Sequence, residues 1–230
     1  MTNITVHHLQ VSQSERIPWL LEELGIPYTL KNYKRAPLFA PEDYKKLHPT
    51  GAAPVIQDGD LTLAESGACV EYICQKHAGG KLFVKPSDPG YADFIYWWHW
   101  TNGTMQPAIS RGLAVRMLSK SMPDGGSGSE AGKQSVAFSE ARIKTQLQAM
   151  DDRLAKNEWL AGPEMTAADI MVVFSLTTMR YFNPYSLAGF DNVLAYLQRV
   201  SKREAYQRAM SKSDPDMKLV LGADPPTPRV

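Results

Sequence analysis

The chain has 230 residues, 43% of them hydrophobic, and its 25 Lys and Arg against 24 Asp and Glu leave a formal net charge of +1. That length holds one large domain or two small ones with a real core. The balanced charge offers no basic face for nucleic acid or an anionic membrane, and no apolar run reaches the roughly 18 residues that span a bilayer. The start, Met1-Thr-Asn-Ile-Thr-Val-His-His8, lacks the charged-then-apolar pattern of a secretory signal. Cys69 and Cys74 are separated by a helical turn of roughly 140°, which suits neither a redox pair nor a metal knuckle. They read as buried structural thiols in a reducing, cytoplasmic setting, with no metal expected.

Residues 4–9 read as a first strand, and residues 14–24 as a helix with Ile17, Leu20, Leu21 and Leu24 on one face. Gly25 ends that helix and Pro27 follows. Tyr28 to Tyr33 is a second strand, parallel to the first because a helix lies between them. A short helix over residues 41–47 precedes a hairpin. Val55 and Ile56 are β-branched, Asp58-Gly59 is a strong turn signal, and Leu61, Thr62 and Leu63 alternate. The next helix covers residues 66–77. The order is β-α-β-α-β-β-α.

Beyond Gly79-Gly80 and Lys85-Pro-Ser-Asp-Pro-Gly90, which reads as a linker over residues 81–90, strand signals nearly vanish. Residues 91–119 form a long helical pattern around Tyr96-Trp-Trp-His-Trp100. Residues 121–132 read as a flexible loop and 134–156 as an amphipathic helix. Thr166-Ala-Ala-Asp169 is a capping box before the apolar run Ile170–Phe174, with Met165 placed to staple onto it. Helices follow over about 190–200 and 202–211, then a proline-rich extended tail over 216–230. The division is an α/β domain over residues 1–80 and an all-helical domain over 91–215.

At Glu65-Ser66 a new helix leaves its first amides unpaired, and those amides, the hydroxyl and the helix dipole suit either a plain cap or a small carboxylate. His7 and His8 stand on a strand without a metal partner in sequence and read as structural or surface.

The layout resembles the cytosolic glutathione transferases, which join a thioredoxin-like domain to a helical one. Trp19-Leu-Leu-Glu-Glu-Leu-Gly-Ile-Pro-Tyr28 resembles the family's first helix and its exit into the second strand. His48-Pro-Thr-Gly-Ala-Ala-Pro54 resembles its Asn-Pro-x-Gly-x-Val-Pro loop, and Ala64-Glu-Ser-Gly-Ala-Cys-Val-Glu-Tyr72 its Glu-Ser helix start. Thr166-Ala-Ala-Asp-Ile170 is similar to the cap of its buried sixth helix. Tyr33-Lys-Arg35 and Lys45-Lys-Leu-His-Pro49 look most like the fungal type of these enzymes.

The resemblance implies glutathione as co-substrate, with Ala53 and a cis Pro54 gripping its cysteinyl part and Glu65 and Ser66 its γ-glutamyl end. It implies a hydroxyl, Ser12 or in reserve Ser14, that stabilises the thiolate for attack on an apolar electrophile. Ser12-x-x-Glu15 is itself a capping pattern, but Pro18 fits a helix capped by Ser14 better, which leaves Ser12 free in the loop. The resemblance places the electrophile pocket against the aromatic helix, where Trp97, Trp100, Thr101 and Met105 are the candidate lining. It also implies a homodimer. The basic residue that often follows the loop glycine in this family is Ala52 here, with Lys45, Lys46 and His48 nearby. Two rival classes are a non-enzymatic regulator or carrier of apolar ligands, and a glutathione-dependent thiol–disulfide reductase or peroxidase, which the lack of a cysteine near residue 12 disfavours.

Overall fold

β1 (Ile4–Leu9) is an inner strand of a four-stranded sheet of order β2-β1-β3-β4 in the computed structural model, which describes residues 4–36, 39–121 and 129–229. It pairs in parallel with β2 (Tyr28–Tyr33), Ile4 opposite Tyr28, because the intervening helix α1 (Arg16–Leu24) carries the chain back to the same end. The hairpin β3 (Val55–Asp58) and β4 (Leu61–Ala64) adds antiparallel, turning at Gly59, whose φ of 59° suits glycine. The two-residue period of β1 sorts its side chains. Ile4 and Val6 join the main core with Ile17, Leu20 and Leu21 of α1, whereas Leu9 packs with Tyr44 of the one-turn helix α2 (Glu42–Lys45).

α3 (Ser66–Ala78) covers the sheet beside α1, burying Cys69, Val70, Ile73 and Cys74. Both cysteines are free, and burial pushes each thiol up to about 12. Residues 81–90 contain no helix or strand.

The helical part is α4 (Tyr91–Trp100), α5 (Gln106–Ser121), α6 (Glu130–Leu154), α7 (Ala167–Leu176), α8 (Asp191–Ser201) and α9 (Glu204–Ser213). Every residue of α7 is buried, and Thr166 and Asp169 form its capping box. The sheet's helices and α4, α7 and α9 share one continuous apolar core. Two expectations change. The single helix over 91–119 is interrupted by a π turn, Thr101–Met105. α6 begins at Glu130 rather than residue 134. The loop expected over 121–132 falls for the most part outside the described residues.

α9 runs along α1. Trp19 meets Tyr206 edge-on at 5.0 Å between ring centres, and Arg203 grips Glu23 through two hydrogen bonds of 2.6 and 2.7 Å. The last segment is extended, as its prolines imply, but tied down: Arg180 donates to the carbonyls of Gly222 and Ala223, and Arg229 N–H to the Tyr181 carbonyl. The docking of α9 brings Asp214 against the end of β1, 206 residues from His8.

Candidate active site

β1 ends at Leu9, and the chain passes through Val11 at φ 54° before Ser12. Ser12 opens a 3-10 turn, Gln13–Glu15, and its Oγ accepts the Ser14 N–H at 3.2 Å. α1 proper begins at Arg16 with no side chain capping it, so the expectation that Ser14 caps the helix is corrected. Pro18 is the third residue of α1, where a backbone N–H has no helical partner to lose. Ser14 Oγ turns inward instead. It lies 2.8 Å from His8 Nδ1, 3.1 Å from the Leu9 N–H and 2.8 Å from Ser12 Oγ. Ser14 is fully buried, and Ser12 is the serine that lines the cleft between the two parts of the chain.

The Ala53–Pro54 peptide is cis. The Ala53 carbonyl accepts Gln13 Nε2 at 2.8 Å, so a ligand pairing there uses its second lone pair or displaces Gln13. Gln13 Oε1 in turn accepts from Arg16 Nη1 at 2.8 Å and Gln106 Nε2 at 3.0 Å. Arg16 is fully buried, and its close acceptors are neutral: the Met171 carbonyl, Gln13, Gln106 Oε1 and Ser66 Oγ, each within 2.9 Å. Burial pushes its guanidinium down to about 9, which leaves it charged at neutral pH. The neighbouring Glu15 does not cancel that charge, because burial pushes its carboxyl up to about 8 while it accepts the Thr178 hydroxyl at 2.6 Å.

Ser66 Oγ accepts from Arg16 at 2.8 Å and from Asn102 Nδ2 at 3.3 Å. Both lone pairs are therefore used, and the hydroxyl proton is left to donate. Ser66 also opens α3, whose first amides receive no side-chain cap, and Glu65 before it is exposed at φ 70°. This end of the site combines a buried cation, a donating hydroxyl and helix-start amides, a combination that suits a carboxylate.

The cleft has a volume of about 360 Å³. Ser12, Gln13, Gly51, Ala52 and Ala53 line it together with the apolar side chains of Phe39, Leu113, Met117, Phe174, Met179 and Phe182. The expected lining from the aromatic helix is a correction: Trp97, Trp100, Thr101 and Met105 are all buried in the core and none reaches the cleft. Trp97 and Trp100 meet edge-on at 4.9 Å, Thr101 Oγ1 donates back to the Trp97 carbonyl, and the π turn aims Asn102 and Gln106 at Arg16 instead. Beside Ala52 the cation that lines the cleft is Arg35, which also donates to the Gln10 and Val11 carbonyls. Lys45 is paired with Glu42 at 2.7 Å, and His48 bonds Thr50.

Reading the sequence alone missed Gln13, Arg16, Asn102, Gln106 and Arg35, and took His8 as structural or surface. Arg35 lies in the Tyr33-Lys-Arg35 motif but carried no assigned role, and Gln13, Arg16, Asn102 and Gln106 left no local signal. Among the described residues no cluster of His, Cys, Asp and Glu could hold a metal, and no helix is long and apolar enough to cross a membrane.

The N-terminal-domain model of glutathione S-transferases matches residues 12–76, and the C-terminal-domain model matches residues 105–204. Glutathione S-transferase 3 of Schizosaccharomyces pombe is 31% identical, the match covering 98% of this chain and 96% of that protein. Glutathione S-transferase 1 of Saccharomyces cerevisiae is 28% identical over 91% of this chain and 95% of its own. Among solved structures, a glutathione S-transferase of Actinobacillus pleuropneumoniae superposes with a TM-score of 0.76 at 30% identity, covering 92% of this chain and 93% of that one. A theta-class enzyme of Xanthomonas axonopodis pv. citri, solved with glutathione bound, gives a TM-score of 0.65 at 25% identity, covering 91% and 97%. With the sheet, the helical domain, the cis Ala53–Pro54 peptide and the Glu65-Ser66 helix start all in place, the chain belongs to the glutathione S-transferase family.

Proposed function

We propose that the chain binds glutathione along the cleft and directs its thiolate at an apolar electrophile, with Ser12 as the thiol's hydroxyl partner. The observation that carries this reading is the placement of Ser12 in one cleft with Ala53, next to the Arg16–Ser66 carboxylate end. The γ-glutamyl carboxylate takes the Ser66 hydroxyl and the α3 amides, Glu65 accepts from the ammonium, and Ala53 pairs with the cysteinyl backbone. Arg35 takes the role of the basic residue absent at Ala52 and faces the glycyl carboxylate. The electrophile lies on the wall of Leu113, Met117, Phe174, Met179 and Phe182.

A cysteinyl thiol near 8.5 is mostly protonated at pH 7, and lowering it by two units requires about 2.7 kcal/mol of thiolate stabilisation. A positioned hydroxyl and the start of α1 are the groups able to supply it. The chain also forms a homodimer in this reading, because Leu61, Ile95, Tyr96 and Phe138 expose large apolar surface.

Conjugation of glutathione to a small aromatic halide, followed by absorbance, tests the activity. Wild-type turnover that falls about ten- to a thousandfold in Ser12→Ala is expected. Glutathione binding without conjugation of any electrophile tried would leave a carrier or regulator instead. Light scattering that returned 25.6 kDa, the mass of one chain, at micromolar concentration would remove the dimer.

A further inference from the structure

We propose that Ser12 is the mouth of a proton relay, Ser12–Ser14–His8–Asp214, and that His8 takes up the proton that glutathione loses when its thiolate forms. This rests on the reading of Ser12 as thiol partner and deepens it. The four side chains form a continuous row: Ser12 Oγ to Ser14 Oγ is 2.8 Å, Ser14 Oγ to His8 Nδ1 2.8 Å, and His8 Nε2 to Asp214 Oδ2 2.9 Å. All four are at most 4% exposed, and only Ser12 faces the cleft.

The resting direction of these bonds is set from the far end. In the resting state of the proposed relay His8 is neutral; a carboxylate only accepts, so Nε2 carries the hydrogen and Nδ1 is the acceptor. Ser14 donates its proton to that Nδ1; the Leu9 carbonyl, at 3.2 Å, is the longer alternative. Ser14 Oγ already accepts the Leu9 N–H at 3.1 Å, and its remaining lone pair takes the Ser12 hydroxyl. Ser12 in this state points its proton inward. Towards the cleft it offers a lone pair, which can accept from a thiol S–H but cannot donate to a thiolate.

One concerted shift resolves this. The S–H bond of glutathione breaks, its electron pair stays on sulfur, and its proton bonds Ser12 Oγ. The former Ser12 proton passes to Ser14 Oγ, and the former Ser14 proton to His8 Nδ1. Every bond in the row reverses direction: His8 now donates to Ser14, Ser14 to Ser12, and Ser12 to the thiolate. The gained positive charge sits beside the Asp214 carboxylate. When sulfur bonds the electrophile's carbon and a halide ion departs, the row passes its proton out through Ser12 to water in the cleft. Ser12 is the catalytic residue; Ser14, His8 and Asp214 are positioning residues that act through it.

Other charged groups face the far end of the row: Glu15 and Arg35 act electrostatically on Asp214, and Lys34, Asp216 and Arg229 line a small cavity with it. Glu15 also bonds Thr178, and Arg35 bonds the Gln10 and Val11 carbonyls. His7, on the opposite face of β1, is engaged with Tyr33 and Gln57.

The test monitors the ring nitrogens of His8 by NMR in the full chain with isotope-labelled histidine, assigned by their loss in His8→Asn. At pH 7, glutathione should convert His8 from the singly to the doubly protonated pattern at the concentration where thiolate absorbance appears. S-methylglutathione, which has no thiol proton, should bind and leave His8 neutral. His8→Asn should weaken glutathione binding at pH 7 in calorimetry, because the proton transfer no longer adds to it, while affinity for S-methylglutathione holds and kcat falls about a hundredfold or more. A His8 ring that stays neutral while thiolate forms would overturn the relay, as would the same change with S-methylglutathione. If His8→Asn does not fold, replacing His7, His48, His77 and His99 one at a time assigns the remaining signal to His8, and the wild-type spectra decide. Failure of wild type to bind or conjugate glutathione is a separate result that overturns the proposed function itself.

Discussion

Asp214 Oδ1 accepts the Val11 N–H at 2.9 Å, and this bond joins the end of the last helix to the loop that presents Ser12. Val11 needs such an anchor. At φ 54° a β-branched residue holds a conformation that it rarely adopts, and the surroundings must supply what the local chain does not. The other oxygen of the same carboxylate holds His8, so α9 braces the loop and its buried neighbour together. Asp214→Ala should therefore cost about 1–3 kcal/mol of stability by stranding a buried amide. Conjugation should fall at least tenfold at temperatures where the variant stays folded. Urea unfolding and steady-state kinetics on one preparation check both. Wild-type turnover in a destabilised variant would show that the bond serves stability alone.

The carboxylate end makes a separate prediction. Because Ser66 Oγ accepts from both Arg16 and Asn102, its proton is the one a ligand receives. Ser66→Ala should weaken glutathione binding by about 1–3 kcal/mol, the range for losing a partner of a charged group. Cysteinylglycine, which lacks the γ-glutamyl residue and its carboxylate, should bind wild type and variant equally weakly. Calorimetry with both ligands gives the answer, and equal affinity of wild type and variant for glutathione would remove the assignment.

Much of the frame was legible in the sequence because it rests on local rules. Both parallel strands, the Gly25 stop, the Asp58-Gly59 hairpin and the Thr166–Asp169 cap depend on a few neighbouring residues each. The proposed site was legible only where a motif is continuous, as at Ala53-Pro54 and Glu65-Ser66. The Arg16 network draws on residues up to 155 positions apart, and Asp214 meets His8 across 206, distances over which no periodicity carries. The aromatic block misled for a physical reason. Helical spacing puts Trp97, Trp100 and Thr101 on one face but does not say which face, and Trp97 and Trp100 join the buried core that α7 also enters. The π turn then changes the helical phase of the residues after it, so Gln106 rather than Met105 reaches the cleft.

Glu15 makes stability depend on pH. Burial holds its carboxyl at about 8 in the folded chain, against an ordinary value of 4.5. Between those values the folded state keeps a proton that the unfolded state releases. Stability from this group is thus fully present below about pH 4.5 and is lost as pH rises towards 8, by at most about 1.4 kcal/mol per pH unit. Glu15→Gln keeps the shape and an acceptor for Thr178 but cannot ionise. It should flatten that part of the stability curve and leave the protein more stable than wild type at pH 8. Urea midpoints at several pH values measure it, and parallel curves for the two proteins would contradict it.

The two candidate walls of the electrophile pocket part under mutation. Trp97 is 4% exposed and packed against Trp100, so Trp97→Ala opens a cavity in the core and should cost about 3–5 kcal/mol of stability. Met117 is 48% exposed yet lines the cleft, so Met117→Ala removes little buried contact. It should change stability by no more than about 0.5 kcal/mol, the ordinary range for a surface substitution. Its cost should appear in catalysis, as a higher KM for apolar electrophiles that grows with their alkyl length, because each methylene that the wall covers is worth about 0.8 kcal/mol. KM for glutathione should hold, since Met117 offers no polar contact to the peptide that Ala53 pairs with. A homologous series of alkyl electrophiles, measured with both variants near their respective half-unfolding temperatures and well below them, separates the two effects. Chain-length selectivity that tracked Trp97 and ignored Met117 would return the pocket to the aromatic helix.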